Sequence, residues 1–318
     1  MSLKTVQVII NGVSTTLNLN SQTGKYEATV TAPNTSSFNQ PNGYYNVTVK
    51  ATDNANNITT VNADDPTLGT KLRLVVKERT APVITPTYPS ASATLINNKP
   101  TITWKVTDAD SGVNPDSISI IIDSGSKITS GITKNKVSGG YECSYTPGTA
   151  LNDGSHTIRF DASDNDGNAA VQKSVSFKVD TVPPTLNIAS PAAGLITNNP
   201  KVTLSGTTND ATSSPVTVTV KLNSGSAANV TVESNGSFTK ELTLAEGTNT
   251  IVITARDSAG KETVISRTVT LDTKAPVITD VLYRKTGFPS RLFNLDQLNA
   301  ACYFNVRFHL FTKFRRQR

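Results

Sequence analysis

Apolar and polar residues alternate along most of the chain, and the alternation returns in similar stretches. Residues 72–76, 175–179 and 269–271 each place every second side chain, an apolar one, on the same face. A period of two predicts β-strands with one buried face, because successive side chains of a strand point to opposite sides. The runs are short and separated by Gly, Asn and Pro, and no helical periodicity interrupts them before residue 280. The pattern predicts an all-β chain.

A short phrase that ends in proline marks the passage from one alternating stretch to the next. It is Thr-Ala-Pro at 80–82, Thr-Val-Pro at 181–183 and Thr-Lys-Ala-Pro at 273–276, with successive prolines 101 and 93 residues apart. Proline cannot donate to a β-ladder, so it ends one sheet and stiffens the start of the next. Each interval also carries short strands and glycine turns at about ten-residue spacing. This spacing is typical of a sandwich of two packed antiparallel sheets.

The junction phrases divide the chain into four parts. We predict complete sandwiches of about seven strands each for residues 80–180 and 181–273. Residues 1–79 lack counterparts of the first strands of the later units, so they are predicted to be a short or truncated sandwich. A sheet edge without its partner must be blunted or covered, which predicts an N-terminal partner. Residues 274–318 begin a fourth unit and then lose the strand pattern.

Positive charge is concentrated at the C-terminal end. The whole chain carries +6 and has a pI of about 9.2, but residues 282–318 hold eight basic residues against one acid, and the remainder is nearly neutral. One interpretation of this tail is a basic amphipathic helix for a membrane surface or a nucleic acid, with Phe304, Phe308 and Phe311 near helical spacing. The favoured interpretation is a frameshift, because the composition changes abruptly after Asp280. The folded modules are not expected to bind nucleic acid.

Groups that commonly carry catalysis are scarce. His156 lies on an alternating strand, where we expect it to be exposed, and His309 lies in the basic tail. The sequence holds no Gly-x-Ser-x-Gly, His-Glu-x-x-His or Cys-x-x-Cys motif. Cys143 shares a strand face with Tyr141 and Tyr145, which predicts a buried free thiol. We therefore expect no enzymatic activity, since catalysis needs a base or nucleophile with partners.

Acidic residues cluster in two predicted turns. One turn includes Asp108 and Asp110, and the other includes Asp161, Asp164 and Asp166. Calcium is bound by six to eight oxygens from such loops, but the spacing is not that of an EF-hand, which has a further Glu at its twelfth position. Asp also favours turns without any metal, because its carboxylate bonds to nearby backbone. We interpret the five residues as turn formers, with calcium as the alternative, and expect no cofactor.

The aromatic pair Tyr44 and Tyr45 suggests a sugar-stacking surface. Neighbouring residues of one strand point to opposite faces, so one of the two rings must face the core. A single exposed tyrosine is common on protein surfaces. Carbohydrate binding by this pair is therefore an alternative to an ordinary strand position.

Together, the junction phrase, the Asp-Ser-Gly-Val at 110–113 and the Asp-x-x-Gly-Asn turn at 164–168 resemble bacterial immunoglobulin-like domains. These are the tandem modules of surface adhesins and of phage tail proteins, and the resemblance covers residues 1–280. It implies Greek-key, antiparallel immunoglobulin-like sandwiches in a linear array, followed by an irregular basic tail. The chain departs from true immunoglobulin domains because its modules lack the paired cysteines. Trp104 stands where a core tryptophan is expected, but the matching residue of the next unit is Leu204.

The resemblance implies a structural or adhesive function. No apolar signal segment follows Met1 and no run of about 18 apolar residues occurs, so we expect neither a signal peptide nor a transmembrane segment. This favours a phage or prophage tail protein that extends or decorates the virion and binds host cell-surface glycans weakly. Its expected partners are other virion or cell-surface proteins, and its expected location is the virion tail or the extracellular surface. The alternative is a stalk fragment of a bacterial surface adhesin or of a secreted carbohydrate-active enzyme.

Overall fold

The computed structural model describes residues 3–275, together with the backbone of two short strands at 278–283 and 310–314. These residues divide into two compact units. The first unit contains the described residues up to Pro183 and two loops from later in the chain, Asp210–Ser214 and Asp257–Lys261. The second unit contains Pro184–Asn209, Pro215–Arg256 and the described residues from Glu262 onward.

The first module of the chain is a single antiparallel sheet within the first unit. Its strands are β1 (Leu3–Ile10), β2 (Val13–Asn20), β3 (Lys25–Glu27), β4 (Tyr45–Asp53), β5 (Ile58–Val61) and β6 (Arg73–Leu74). They lie in the order β3-β2-β1-β4-β5, with β6 paired to β4. Its core is small and is formed by Val8, Ile10 and Tyr45, with a few half-buried neighbours.

The second module, also in the first unit, is a sandwich of two four-stranded sheets. Its strands are β7 (Val83–Tyr88), β8 (Thr94–Leu95), β9 (Ile102–Thr107), β10 (Ser119–Ile122), β11 (Thr133–Val137), β12 (Gly140–Tyr145), β13 (Gly154–Asp161) and β14 (Lys173–Val179). One sheet has the order β10-β13-β14-β8 and the other β11-β12-β9-β7. The core lies between the sheets, where the ring of Trp104 from β9 is 5.4 Å from that of Phe160 from β13.

The second unit contains a sandwich of three and five strands. Its strands are β15 (Thr185–Ser190), β16 (Leu195–Thr197), β17 (Lys201–Asn209), β18 (Thr217–Leu222), β19 (Ala228–Val230), β20 (Ser237–Thr243), β21 (Gly247–Arg256) and β22 (Glu262–Leu271). The sheets have the orders β15-β17-β20 and β16-β22-β21-β18-β19. Leu204 is fully buried where the previous module has Trp104, so this core is aliphatic apart from Phe238. The Phe238 ring lies over Gly206, where an added Cβ would be 2.7 Å from the ring Cζ.

The prediction of an all-β chain of tandem immunoglobulin-like modules is confirmed, with two complete sandwiches after a first module that is a single sheet. Each complete sandwich has one strand more than expected, and that strand pairs in parallel: β8 with β14, and β16 with β22. These strands are only two and three residues long, so the sequence alternation does not reveal them. The described helices are short 3₁₀ turns, at Ser37–Asn39, Pro41–Gly43, Gly69–Leu72 and Pro115–Ser117.

The last two strands, β23 (Ile278–Tyr283) and β24 (Leu310–Phe314), form an antiparallel pair. Phe311 lies in β24 and not in a helix, so the helical interpretation of the tail is wrong at this residue. Phe304, Phe308 and His309 lie outside the described residues, as does most of the segment attributed to a frameshift. Within the described part of the chain, no helix has the length and apolar character needed to cross a membrane.

Candidate functional site

Acidic loop residues connect the first two modules inside the first unit. Both carboxylate oxygens of Asp110, in the loop after β9, lie 2.9 Å from the backbone nitrogen of Ser36, which donates to them. The Asn39 side chain donates to the backbone carbonyl of Asp110 over 2.6 Å. Because Ser36 lies 74 residues earlier in the chain, these bonds join loops from different modules.

The segment after β6 is held in the same way by the loop after β13. The backbone nitrogen of Glu78 donates to Asp166 Oδ2 over 3.0 Å, and the Asn168 side chain donates to the Glu78 carbonyl over 3.2 Å. The Glu78 carboxylate in turn accepts a bond of 2.6 Å from the backbone nitrogen of Ser111. Sequence reasoning did not select Glu78. The sequence feature that could have indicated it is an acidic residue shortly before the proline of a junction phrase, which occurs at Glu78 and again at Asp180.

Asp108 and Asp164 form turns, and both are buried. Asp108 Oδ1 accepts from the backbone nitrogens of Asp110 at 3.1 Å and Gly112 at 2.8 Å. Asp164 accepts from Asn168 twice, from its backbone nitrogen at 2.7 Å and from its side chain at 2.6 Å. One carboxylate oxygen each from Glu78, Asp108 and Asp164 lie within 4.8 Å of one another. We call these three residues the first carboxylate cluster.

Asp161 is separate from these groups. It lies at the end of β13 and accepts a bond of 2.8 Å from the Gln172 side chain. Of the five acidic residues selected from the sequence, two therefore belong to the first carboxylate cluster, two bond to the first module, and Asp161 does neither.

A second group of carboxylates was not anticipated. Asp180 follows β14, Asp210 follows β17 and Asp257 follows β21, and all three belong to the first unit. One oxygen from each lies within 4.8 Å of the others. Asp180 is 0% exposed and Asp257 5%, and Asp210 is buried as well. We call these residues the second carboxylate cluster.

Backbone hydrogen bonds occupy one oxygen of each carboxylate in the second cluster. Asp180 Oδ1 accepts from Val182 N at 3.2 Å, and Asp257 Oδ1 from Lys261 N at 2.8 Å. Asp210 Oδ1 accepts from the two backbone nitrogens of Thr212 and Ser213, at 2.8 and 2.6 Å. Within the described part of the chain, Asp180 Oδ2, Asp257 Oδ2 and the Ser213 hydroxyl are buried without a hydrogen-bond partner.

His156 is buried, so the expectation of an exposed position is wrong. It is 8% exposed, because alternation along β13 places it on the face of Ile158 and Phe160. Its Nδ1 lies 2.8 Å from Asp123 Oδ2 and its Nε2 2.7 Å from the Asn152 carbonyl oxygen. Burial lowers the pKa of the imidazole, but bonds to Asn152 and Asp123 outweigh it and raise the pKa above 6.5. Both ring nitrogens are thus engaged in structural contacts.

Cys143 is a buried free thiol, as predicted. Burial raises the pKa of the thiol to about 11, although the nearby charge of Lys134 opposes the shift. The nucleophilic thiolate is therefore scarce near neutral pH.

Tyr44 and Tyr45 point to different environments. Tyr45 is buried and its hydroxyl lies 2.7 Å from Thr35 Oγ1, so it is the core-facing ring of the pair, as predicted. The guanidinium carbon of Arg73 lies 4.9 Å from the centre of the half-buried Tyr44 ring. This cation–π contact covers one face of the Tyr44 ring.

Two family models match the sandwiches. Residues 89–181 match a bacterial Ig-like domain, and residues 184–273 match domain B of glucodextranase. The chain is a tandem array of immunoglobulin-like modules. No curated protein has significant sequence similarity to it.

Solved structures match the chain at low identity. The fibronectin(III)-like modules of CbhA from Clostridium thermocellum are 17% identical, over 60% of this chain and 94% of that chain, with a TM-score of 0.34. Immunoglobulin domains 1–4 of Sidekick-1 are 13% identical, over 84% of this chain and 67% of that chain, with a TM-score of 0.39. Likenesses at this level assign no function to the chain.

Proposed function

We propose that the immunoglobulin-like array is a non-enzymatic structural part of a phage or prophage tail, which extends or decorates the particle. The observation that supports a structural role is the bonding of Asp110 and Asp166 to backbone nitrogens of the first module. Backbone nitrogens are fixed by the fold, so carboxylates that bond to them hold neighbouring modules in one arrangement. The proposal of a tail protein, in preference to another structural protein, rests on the sequence resemblance.

Two candidate catalytic side chains among the described residues, His156 and Cys143, are held in structural positions. Both ring nitrogens of His156 are within bonding distance of Asp123 and Asn152, and Cys143 is 3% exposed with a raised pKa. A general base needs a free nitrogen and a nucleophile needs access to substrate. We therefore expect the purified chain to release no reducing sugar from host polysaccharide, and a release that scales with protein concentration would refute this part of the proposal.

Binding to cell-surface glycans or proteins would be weak for one module and strengthened by many copies on a particle. The direct test is immunogold electron microscopy of particles released by the native host. Gold at the tail supports the proposal. Gold on the cell envelope, without labelled particles, would support an adhesin stalk and refute a tail location.

The second candidate is an accessory stalk of a secreted carbohydrate-active enzyme, favoured by the match of residues 184–273 to domain B of glucodextranase. The two candidates predict different products of the native gene. The mass of the protein isolated from the native source is the measurement: a single polypeptide that also contains a catalytic domain supports the stalk, whereas a protein of modules alone favours the tail.

A further inference from the structure

The same loop position carries an aspartate in all three modules, and in the first two an asparagine four residues later donates to both carboxylate oxygens. Asp53 accepts from Asn57 at 2.9 Å through both the backbone nitrogen and the side chain. Asp164 accepts from Asn168 in the same way. The second carboxylate oxygen of each therefore has an amide donor four residues later. In the first module, the Asn57 side chain is the largest cause of a pKa of Asp53 below its ordinary value.

The loop of residues 257–261 keeps the backbone bond and loses the amide. Lys261 occupies the position of the asparagine, and its backbone nitrogen donates to Asp257 Oδ1 over 2.8 Å. The lysine side chain has no amide group that could donate as the asparagines do. Among the described residues, Asp257 Oδ2 is buried without a hydrogen-bond partner. Asp180 Oδ2 is buried without a partner too, although Asp180 comes from a different part of the chain. Among the described residues, the second carboxylate cluster thus contains two buried carboxylate oxygens without a hydrogen-bond partner, whereas Asp164 of the first cluster accepts bonds at both oxygens.

Such a cluster is unfavourable without a cation. Three buried carboxylates within 4.8 Å repel one another, and a buried carboxylate is costly unless it is paired or coordinates a metal. Within the described residues, no lysine, arginine or histidine side chain forms an ion pair with Asp180, Asp210 or Asp257. A bound cation would balance these carboxylates, which no described basic side chain does.

We propose that Asp180, Asp210 and Asp257 bind one calcium ion. The donors are all oxygen, which suits hard cations and not zinc or copper. Calcium takes about six to eight oxygen ligands at about 2.3–2.6 Å in a flexible geometry, so carboxylates from three separate segments whose oxygens lie within 4.8 Å of one another can form part of its shell. Magnesium at about 2.0–2.1 Å would require a tighter cage and usually keeps several waters.

The site would link the residue after β14 to two loops that follow β17 and β21, and all of these residues belong to the first unit. Binding to the folded state alone raises the apparent stability by mass action. The inference does not depend on the proposed function. It also differs from the calcium alternative drawn from the sequence, whose candidate residues include Asp108 and Asp164 of the first cluster and none of the second.

The test uses the full chain, stripped with EDTA and dialysed, and titrated with calcium chloride in a calorimeter. We expect one calcium ion to bind per chain and the melting temperature to rise more in calcium chloride than in magnesium chloride of the same ionic strength. Asp257→Asn and Asp180→Asn should weaken binding at least tenfold. Asp164→Asn, in the first cluster, and Asp161→Asn, outside both, are matched controls that should keep the wild-type affinity.

Stability without metal separates a binding site from a purely structural role. In EDTA, Asp257→Asn removes one of three repelling charges and keeps an oxygen for Lys261 N, so its melting temperature should equal or exceed that of the wild type. The order should reverse in calcium. The proposal is overturned if calcium binds no more tightly than magnesium, if both second-cluster variants keep wild-type affinity, if Asp164→Asn abolishes binding instead, or if Asp257→Asn is destabilised equally with and without calcium.

Discussion

Asp110→Ala tests whether acidic loop residues hold the first two modules together. The substitution removes the acceptor for the backbone nitrogen of Ser36, a residue that is 2% exposed. A bond to a charged acceptor and an unsatisfied buried donor are each worth about 1–3 kcal/mol, and the half-buried position of Asp110 places the expected cost at about 1–2 kcal/mol. A change of this size shifts an opening equilibrium about 5–30-fold.

Limited trypsin digestion measures this opening. Lys77 and Arg79 are exposed on either side of Glu78, whose backbone nitrogen is bonded to Asp166, so cleavage there requires the segment to leave its partners. When opening and closing are fast, the cleavage rate follows the population of the open form. We expect Asp110→Ala to be cut at these two sites about 5–30 times faster than the wild type.

The matched control is Asp161→Ala, since the Asp161 carboxylate accepts a bond from Gln172 of its own module. It should be cut at the wild-type rate. Equal rates for Asp110→Ala and the wild type would refute the reasoning, because the Ser36 bond would then contribute nothing to closure. Equal acceleration in both variants would also refute it, since the effect would then reflect general loss of stability and not the junction.

Three further outcomes follow from the second module. Phe160→Ala should lower the free energy of unfolding by about 3–5 kcal/mol, seen as a lower urea midpoint in Trp104 fluorescence; a loss below about 1 kcal/mol would contradict the packing. His156 has a pKa raised above its unfolded value, so its stabilising contribution is full below about pH 6.5 and is lost as the pH rises through the folded pKa. The melting temperature should therefore fall more over this range in the wild type than in Asp123→Asn, and parallel curves would contradict the pairing. Cys143 should resist iodoacetamide at pH 7.5 until urea is added, as followed by peptide mass spectrometry; rapid native labelling would refute its burial.

The alternation of apolar residues was enough to predict the all-β class, because each long strand buries one face. It applied equally to His156, which shares the parity of Ile158 and Phe160 on β13 and is buried with them. The expectation of exposure followed the polarity of the side chain and not its register. The parallel strands β8 and β16 could not be found in this way, since two or three residues carry no period.

The acidic residues show a different limit of sequence reasoning. That Asp108 and Asp164 form turns follows from their own neighbours, because each bonds to backbone within four residues. The partner of Asp110 lies 74 residues away and that of Asp166 lies 88 residues away, and no local pattern specifies contacts at that range. The second cluster needs three segments at once. Its one sequence signal is the position of Asp180, an acid shortly before a junction proline like Glu78.

The three repeated loops share a backbone hydrogen bond to their aspartate but differ in the side chain that follows it. The backbone bond to the aspartate four residues earlier is kept at 2.9, 2.7 and 2.8 Å by Asn57, Asn168 and Lys261. The turn therefore forms with either side chain at that position, because only the backbone nitrogen is needed. The side chain decides whether the second oxygen accepts a hydrogen bond inside the loop, as from the two asparagines, or is left without a partner among the described residues, as at Asp257. The residue four positions after the aspartate can thus leave one carboxylate oxygen without a donor in the loop, while the backbone bond that forms the turn is kept.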